Sequence, residues 1–103
     1  MRVIWHPQAE DALDQVANYV REQFGAKRRN FFLQEVRQTT KILQHSPYIG
    51  SIDPLFDDRP VTYRSIIING LSKMVYYIDD NIIHIAAFWD TRREPKKQSE
   101  QVK

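Results

Sequence analysis

The chain has 103 residues, with 15 lysines and arginines against 13 aspartates and glutamates, and it contains no cysteine. This length fits one domain with a core of its own, and the lack of cysteine excludes disulfides and zinc–thiolate sites. No apolar run approaches the roughly 18 residues of a membrane span and no signal peptide precedes the opening residues, so the sequence predicts a soluble, cytoplasmic protein that contacts no membrane.

The first segment predicts a strand followed by a helix. An apolar opening, Val3 to Trp5, is typical of an edge strand, and Pro7 favours the first turn of a helix because its missing N–H is not needed there. Gly25 is the expected helix end. Apolar residues between these points recur at spacings of three and four, which predicts one buried stripe: Leu13, Val16, Val20 and Phe24.

A second helix is predicted from about Lys27 to His45, and it ends before Pro47 because the residue preceding a proline is pushed out of helical geometry. The short joint between the helices predicts an αα-hairpin. We interpret Phe31 and Phe32 as packing within this hairpin, with exposure of one of them to a partner as the alternative. The predicted stripe of the second helix comprises Phe32, Val36, Thr39, Thr40 and Leu43.

Three strands follow a proline-rich loop at residues 46–60, at about Thr62–Ile68, Ser72–Ile78 and Ile82–Trp89. Asn69-Gly70 predicts one tight hairpin and Asp79-Asp80-Asn81 predicts the other. The fold class is therefore α+β: an N-terminal strand, an αα-hairpin and a three-stranded antiparallel meander, in the order β-α-α-β-β-β. We expect a single domain over residues 1–95 and a polar tail over residues 96–103.

Two-residue turns set a register in which Arg64 faces Val75 and Lys73 faces Phe88. Side chains alternate along a strand, so one face collects large apolar groups and is expected to lie under the helices: Ser65, Ile67, Ser72, Met74, Tyr76, Ile78, Ile83, Ile85, Ala87 and Trp89. The opposite face then collects the cations and the histidine: Arg64, Ile66, Ile68, Lys73, Val75, Tyr77, His84, Ala86 and Phe88, joined by Asp90 and Arg92 if the last strand stays extended.

The cations of this second face suggest two kinds of site, although an ordinary solvent-facing strand carries lysine and arginine as well. Arg64, Lys73 and Arg92 could hold a scissile phosphate while His84 or Asp90 accepts a proton, which would cleave RNA without a metal. Alternatively, the face could receive an acidic protein segment. The residues predicted for binding are Arg64, Lys73, Tyr77, His84, Arg92 and Arg93.

The sequence predicts no metal and no small-molecule cofactor. The three histidines, His6, His45 and His84, lack the spacing of metal ligands. The three glycines are too far apart to form a phosphate-binding loop.

Several segments together resemble the RelE/ParE superfamily: VIWHPQAEDALDQVANYV at the start, LQHSPYIG after the second helix, and YRSIIINGLSKMVYYIDDNIIHIAAFWDTRREP at the end. The resemblance covers about Arg2 to Pro95. It implies a toxin of a bacterial type II toxin–antitoxin module, a group also known as plasmid stabilisation proteins. It further implies neutralisation by a cognate antitoxin that wraps over the toxin.

The superfamily divides by mechanism into RelE-like ribosome-dependent mRNA endonucleases and ParE-like poisons of DNA gyrase. Arg64 and Lys73 match two basic positions of the RelE-like pattern, and Arg92 or Arg93 matches the third. This chain departs from that pattern at Ile66, where a second lysine is usual, and at Glu94–Lys97, which offers no tyrosine or histidine. The long paired helices look more ParE-like, so we expect a gyrase-binding toxin, with mRNA cleavage as the alternative and an inactive member as a third possibility.

Overall fold

Two helices lie across one face of a five-stranded sheet in the computed structural model, which describes residues 1–91. The elements are β1 (Arg2–Trp5), α1 (Pro7–Phe24), α2 (Ala26–His45), β2 (Ser51–Ile52), a 3-10 turn (Pro54–Phe56), β3 (Arg64–Ile68), β4 (Ser72–Asp79) and β5 (Ile82–Asp90). The predicted class and element order are confirmed, and the short β2 adds one strand to the expected number. The predicted tail at residues 96–103 lies outside the described residues.

The helical hairpin forms as the sequence predicts at its joint, but not along all of its stripe. Pro7 opens α1, and Gly25 separates the helices with a φ of 94°, which a side chain would strain. Phe24 was expected to be buried, yet 65% of it is exposed. The residues of α1 that pack against the main core end at Val16, two turns before Phe24.

The strands lie in the order β1-β5-β4-β3-β2, with β1 parallel to β5 and the other pairs antiparallel. The β4–β5 hairpin has the expected two-residue turn, Asp80 and Asn81, both at positive φ, and Tyr77 pairs with His84 as predicted. The N-terminal strand joins the sheet beside β5, where Trp5 pairs with Ile85.

The predicted register was wrong in two places. Ile68 pairs with Ser72, so the β3–β4 loop contains three residues instead of two, and Arg64 lies opposite Tyr76 rather than Val75. Farther along, a bulge places Ala86 outside the pairing, so that Lys73 lies opposite Trp89 rather than Phe88. Each inserted residue moves the following side chains to the other face of the sheet.

These shifts redistribute the predicted faces. We call the side of the sheet against α1 and α2 the helix face and the opposite side the loop face. By register, Arg64, Ile66, Ile68, Phe88 and Asp90 belong to the helix face, and Ser65, Ile67, Ala87 and Trp89 belong to the loop face. The loop face has a core of its own under the 3-10 turn, made of Phe56, Tyr63, Val75, Ala86, Ala87 and Trp89.

Neither helix within residues 1–91 is apolar enough along its length to cross a bilayer.

Candidate functional site

Lys73 lies on the loop face and forms an ion pair inside the chain. Its Nζ is 2.7 Å from Oδ2 of Asp53 and 5.5 Å from the centre of the Trp89 ring. Only 2% of the Asp53 side chain is exposed, and its other carboxylate oxygen accepts a hydrogen bond from the Leu55 N–H. A buried carboxylate requires such a partner, so Lys73 neutralises Asp53 and holds the 3-10 turn against the sheet.

Arg64 lies on the helix face, at the edge next to β2. Its Nη1 donates to the carbonyl of Gly50 at 2.9 Å and approaches the carbonyl of Tyr48 at 3.4 Å. The guanidinium also lies 5.2 Å from the centre of the Tyr48 ring, within reach of a cation–π interaction. These contacts tie Arg64 to the segment that leaves α2.

The fully buried Tyr76 also holds the segment that leaves α2, through two hydrogen bonds of its hydroxyl. The Tyr76 hydroxyl donates to the Pro47 carbonyl at 2.8 Å and accepts from the Gly50 N–H at 2.9 Å. Burial raises the pKa of Tyr76 above its usual value of 10.0, so the hydroxyl remains protonated and able to donate. A Cβ at Gly50 would lie 2.6 Å from the Tyr76 hydroxyl oxygen, which explains a glycine at this position.

Tyr77 and His84 form an aromatic cluster on the loop face with His6. The Tyr77 and His84 rings stack with centroids 4.7 Å apart and planes 5° from parallel. His6 closes the cluster, with Nε2 at 3.3 Å from Nδ1 of His84 and 3.5 Å from the Tyr77 hydroxyl. Burial, and then the charge of His84, lower the pKa of His6 below 6.5, which favours a neutral imidazole there.

His6 is a member of this cluster that the sequence did not assign to it. The sequence offered one signal: His6 follows the strand that lies beside β5, because Trp5 pairs with Ile85. Sequence alone did not establish which strand β1 would join, so the proximity of His6 and His84 could not be derived.

The predicted site residues therefore do not converge on one face. Lys73, Tyr77 and His84 share the loop face as expected, whereas Arg64 and Asp90 belong by register to the helix face. The prediction of a common face was wrong for these two residues because the three-residue loop and the bulge each changed the alternation. Arg92 and Arg93 lie outside the described residues, so their part in the site stays a prediction.

Comparison with known proteins identifies the relatives of the chain. A family model described as "ParE toxin of type II toxin-antitoxin system, parDE" matches residues 3–95. A solved structure titled "Chromosomal ParDE TA system from P. aeruginosa" superposes with a TM-score of 0.71 at 18% identity, covering 87% of this chain and 95% of the other. At that identity the superposition shows a shared fold. No curated protein matches the chain significantly.

Proposed function

Because this chain belongs to the ParE toxin family of type II toxin–antitoxin systems, we propose that it arrests growth by binding DNA gyrase. Its partners are then gyrase, as the target in the cytoplasm, and a cognate antitoxin that neutralises it. In this proposal it acts as a plasmid-stabilising toxin through protein contacts. The residues proposed for those contacts are the ones predicted for binding: Arg64, Lys73, Tyr77, His84, Arg92 and Arg93.

The observation that carries this proposal is that Arg64 and Lys73, the two predicted site cations within residues 1–91, bind different partners on opposite faces of the sheet. A metal-free phosphate site requires cations that converge on one point. Here Lys73 binds Asp53 on the loop face, whereas Arg64 binds the Gly50 carbonyl on the helix face. This placement favours cations that shape a protein-binding surface over cations that hold a scissile phosphate.

Ribosome-dependent mRNA cleavage is the second candidate, and the aromatic cluster favours it. His6 and His84 lie within hydrogen-bonding distance of each other beside the Tyr77 hydroxyl, so that one ring nitrogen can donate to the other. In this alternative His84 or Asp90 accepts the 2′-hydroxyl proton while Arg64, Lys73 and Arg92 hold the phosphate. Lys73 would first have to leave Asp53.

A supercoiling assay with purified gyrase tests the proposal. We expect the full chain to inhibit supercoiling and to cause linear plasmid DNA to accumulate only when gyrase and ATP are present. A topoisomerase I relaxation reaction is the control and should not change. Undisturbed supercoiling at micromolar concentrations of folded chain would contradict gyrase as the target.

A further inference from the structure

The tip of the helical hairpin, residues 21–31, exposes two large aromatic side chains. Phe24 is 65% exposed and Phe31 is 51% exposed. Together with Lys27 and Arg28 they line a cleft with a volume of about 360 Å³. The cleft therefore has apolar walls from both helices and cations beside them, and no strand contributes to its lining.

The tip is also strongly basic. Residues 21–31 contain four basic side chains and one acidic side chain, an excess of three cations, whereas the excess in the whole chain is two. The basic residues are Arg21, Lys27, Arg28 and Arg29.

Stability of the fold does not explain this composition. Lys27, Arg28 and Arg29 occupy the first turn of α2, where the helix dipole disfavours cations, and no side chain caps that end. Burying a phenylalanine is worth about 1.5–3 kcal/mol, and Phe24 and Phe31 forgo much of that stabilisation. Exposed apolar groups rimmed by charge are typical of protein-binding sites.

Two occupants from this chain fit the tip poorly. Residues 92–103 contain five basic and two acidic side chains, so their charge repels the tip. A second copy that presented the same tip would be repelled for the same reason.

We propose that the hairpin tip is a docking site for an acidic segment of a partner protein that inserts one apolar side chain between Phe24 and Phe31. Carboxylates on either side of that anchor would meet Lys27 and Arg28. Single-stranded nucleic acid is less suited, because it stacks on a series of rings along an extended basic track, whereas this cleft offers two rings and two cations. The site lies on the hairpin and does not depend on gyrase being the target.

Selection from a displayed library of random 12-residue peptides tests this proposal. The full chain is the bait, and the Phe24→Ala/Phe31→Ala double variant is the counter-bait. We expect enrichment of peptides with one large apolar residue flanked by aspartate or glutamate. Enrichment of peptides without acidic residues, equal enrichment on both baits, or no enrichment would overturn the proposal.

The affinity of the most enriched peptide then separates the contributions of charge and apolar contact. We expect Arg28→Glu and Phe31→Ala each to weaken binding by about tenfold, which corresponds to about 1.4 kcal/mol. Lys41→Glu and Ile42→Ala are matched controls at exposed positions of the same helix and should leave the affinity unchanged. Thermal unfolding of each variant verifies that it is folded.

Two further measurements distinguish an acidic protein partner from a nucleic acid. Binding of the peptide should weaken as salt rises, because its carboxylates face cations. Displacement of the peptide by a 12-nucleotide oligo-dT at equal concentration would indicate a nucleic-acid site and overturn the proposal.

Discussion

Lys73 illustrates why the role of a single residue is difficult to predict from sequence. The sequence placed it correctly on a strand and on the face that carries Tyr77 and His84, and it suggested a free cation for a phosphate. Its partner is Asp53, which lies in an irregular loop where no periodicity predicts contacts. Whether a surface cation is available to a ligand depends on such long-range partners.

The ion pair leads to a prediction for Lys73→Ala. Removing the ammonium leaves the Asp53 carboxylate buried without its partner, so we expect the free energy of unfolding to fall by about 1–3 kcal/mol. Urea unfolding monitored by tryptophan fluorescence measures the change. Lys41→Ala, an exposed lysine on α2, is the matched control. Equal stability of the two variants would show that the pair with Asp53 contributes nothing.

The buried Tyr76 hydroxyl leads to a second prediction at this scale. Tyr76→Phe removes the acceptor of the Gly50 N–H and the donor to the Pro47 carbonyl, so we expect a loss of about 1–3 kcal/mol in the free energy of unfolding. The exposed Tyr19→Phe, which changes the same atom, should have almost no effect. Chemical unfolding of both variants makes the comparison, and a stable Tyr76→Phe protein would be incompatible with this role.

At the scale of elements, periodicity and turn residues predicted the helices and strands but not their register. Asn69-Gly70 indicated a hairpin, since both residues adopt positive φ, yet these residues are compatible with a loop that also includes Leu71. The residue types around Ala86 do not predict the bulge there. Assignment of side chains to faces depended on these two single-residue details, and so the predicted basic face was wrong in part.

A disulfide tests the observed β3–β4 register, since the chain contains no native cysteine. Ser65 pairs with Val75, so the Ser65→Cys/Val75→Cys variant should oxidise to an intramolecular disulfide under mild conditions. Met74 points to the other face, and Ser65→Cys/Met74→Cys should stay reduced. Thiol titration after oxidation distinguishes them, and the reverse pattern would refute the register.

The junction of β1 and α1 gives a pH-dependent prediction. The pKa of His6 is lower in the folded chain than its unfolded value of 6.5, so the unfolded chain binds a proton more readily. The stability due to a neutral His6 is therefore present above pH 6.5 and is lost as the pH falls through the folded pKa.

Replacing His6 should flatten this dependence. We expect the melting temperature of His6→Gln to fall less than that of the parent chain between pH 7 and pH 5, with His45→Gln as the control for losing a histidine. Identical pH profiles for the parent and His6→Gln would contradict a depressed pKa at His6.

At the scale of the whole molecule, the pattern of elements carried more information than any site residue. Segments spread over about Arg2 to Pro95 indicated the superfamily, and the family match over residues 3–95 confirms the ParE-like branch of that prediction. Of the Phe31-Phe32 pair, Phe32 packs against the core as predicted, whereas Phe31 is exposed, and a partner for Phe31 stays a prediction. The molecular target could not be derived from the sequence, because it depends on which side chains share a surface. The sequence did not determine the strand register that sets this.

Primer extension on ribosome-bound mRNA from cells expressing the chain tests most directly whether it poisons gyrase or cuts message. We predict intact message at the onset of growth arrest, together with an SOS response to DNA breaks. Early cuts in ribosome-bound message that disappear in a folded Arg64→Ala variant and persist in Lys41→Ala would contradict the proposal and establish the nuclease alternative.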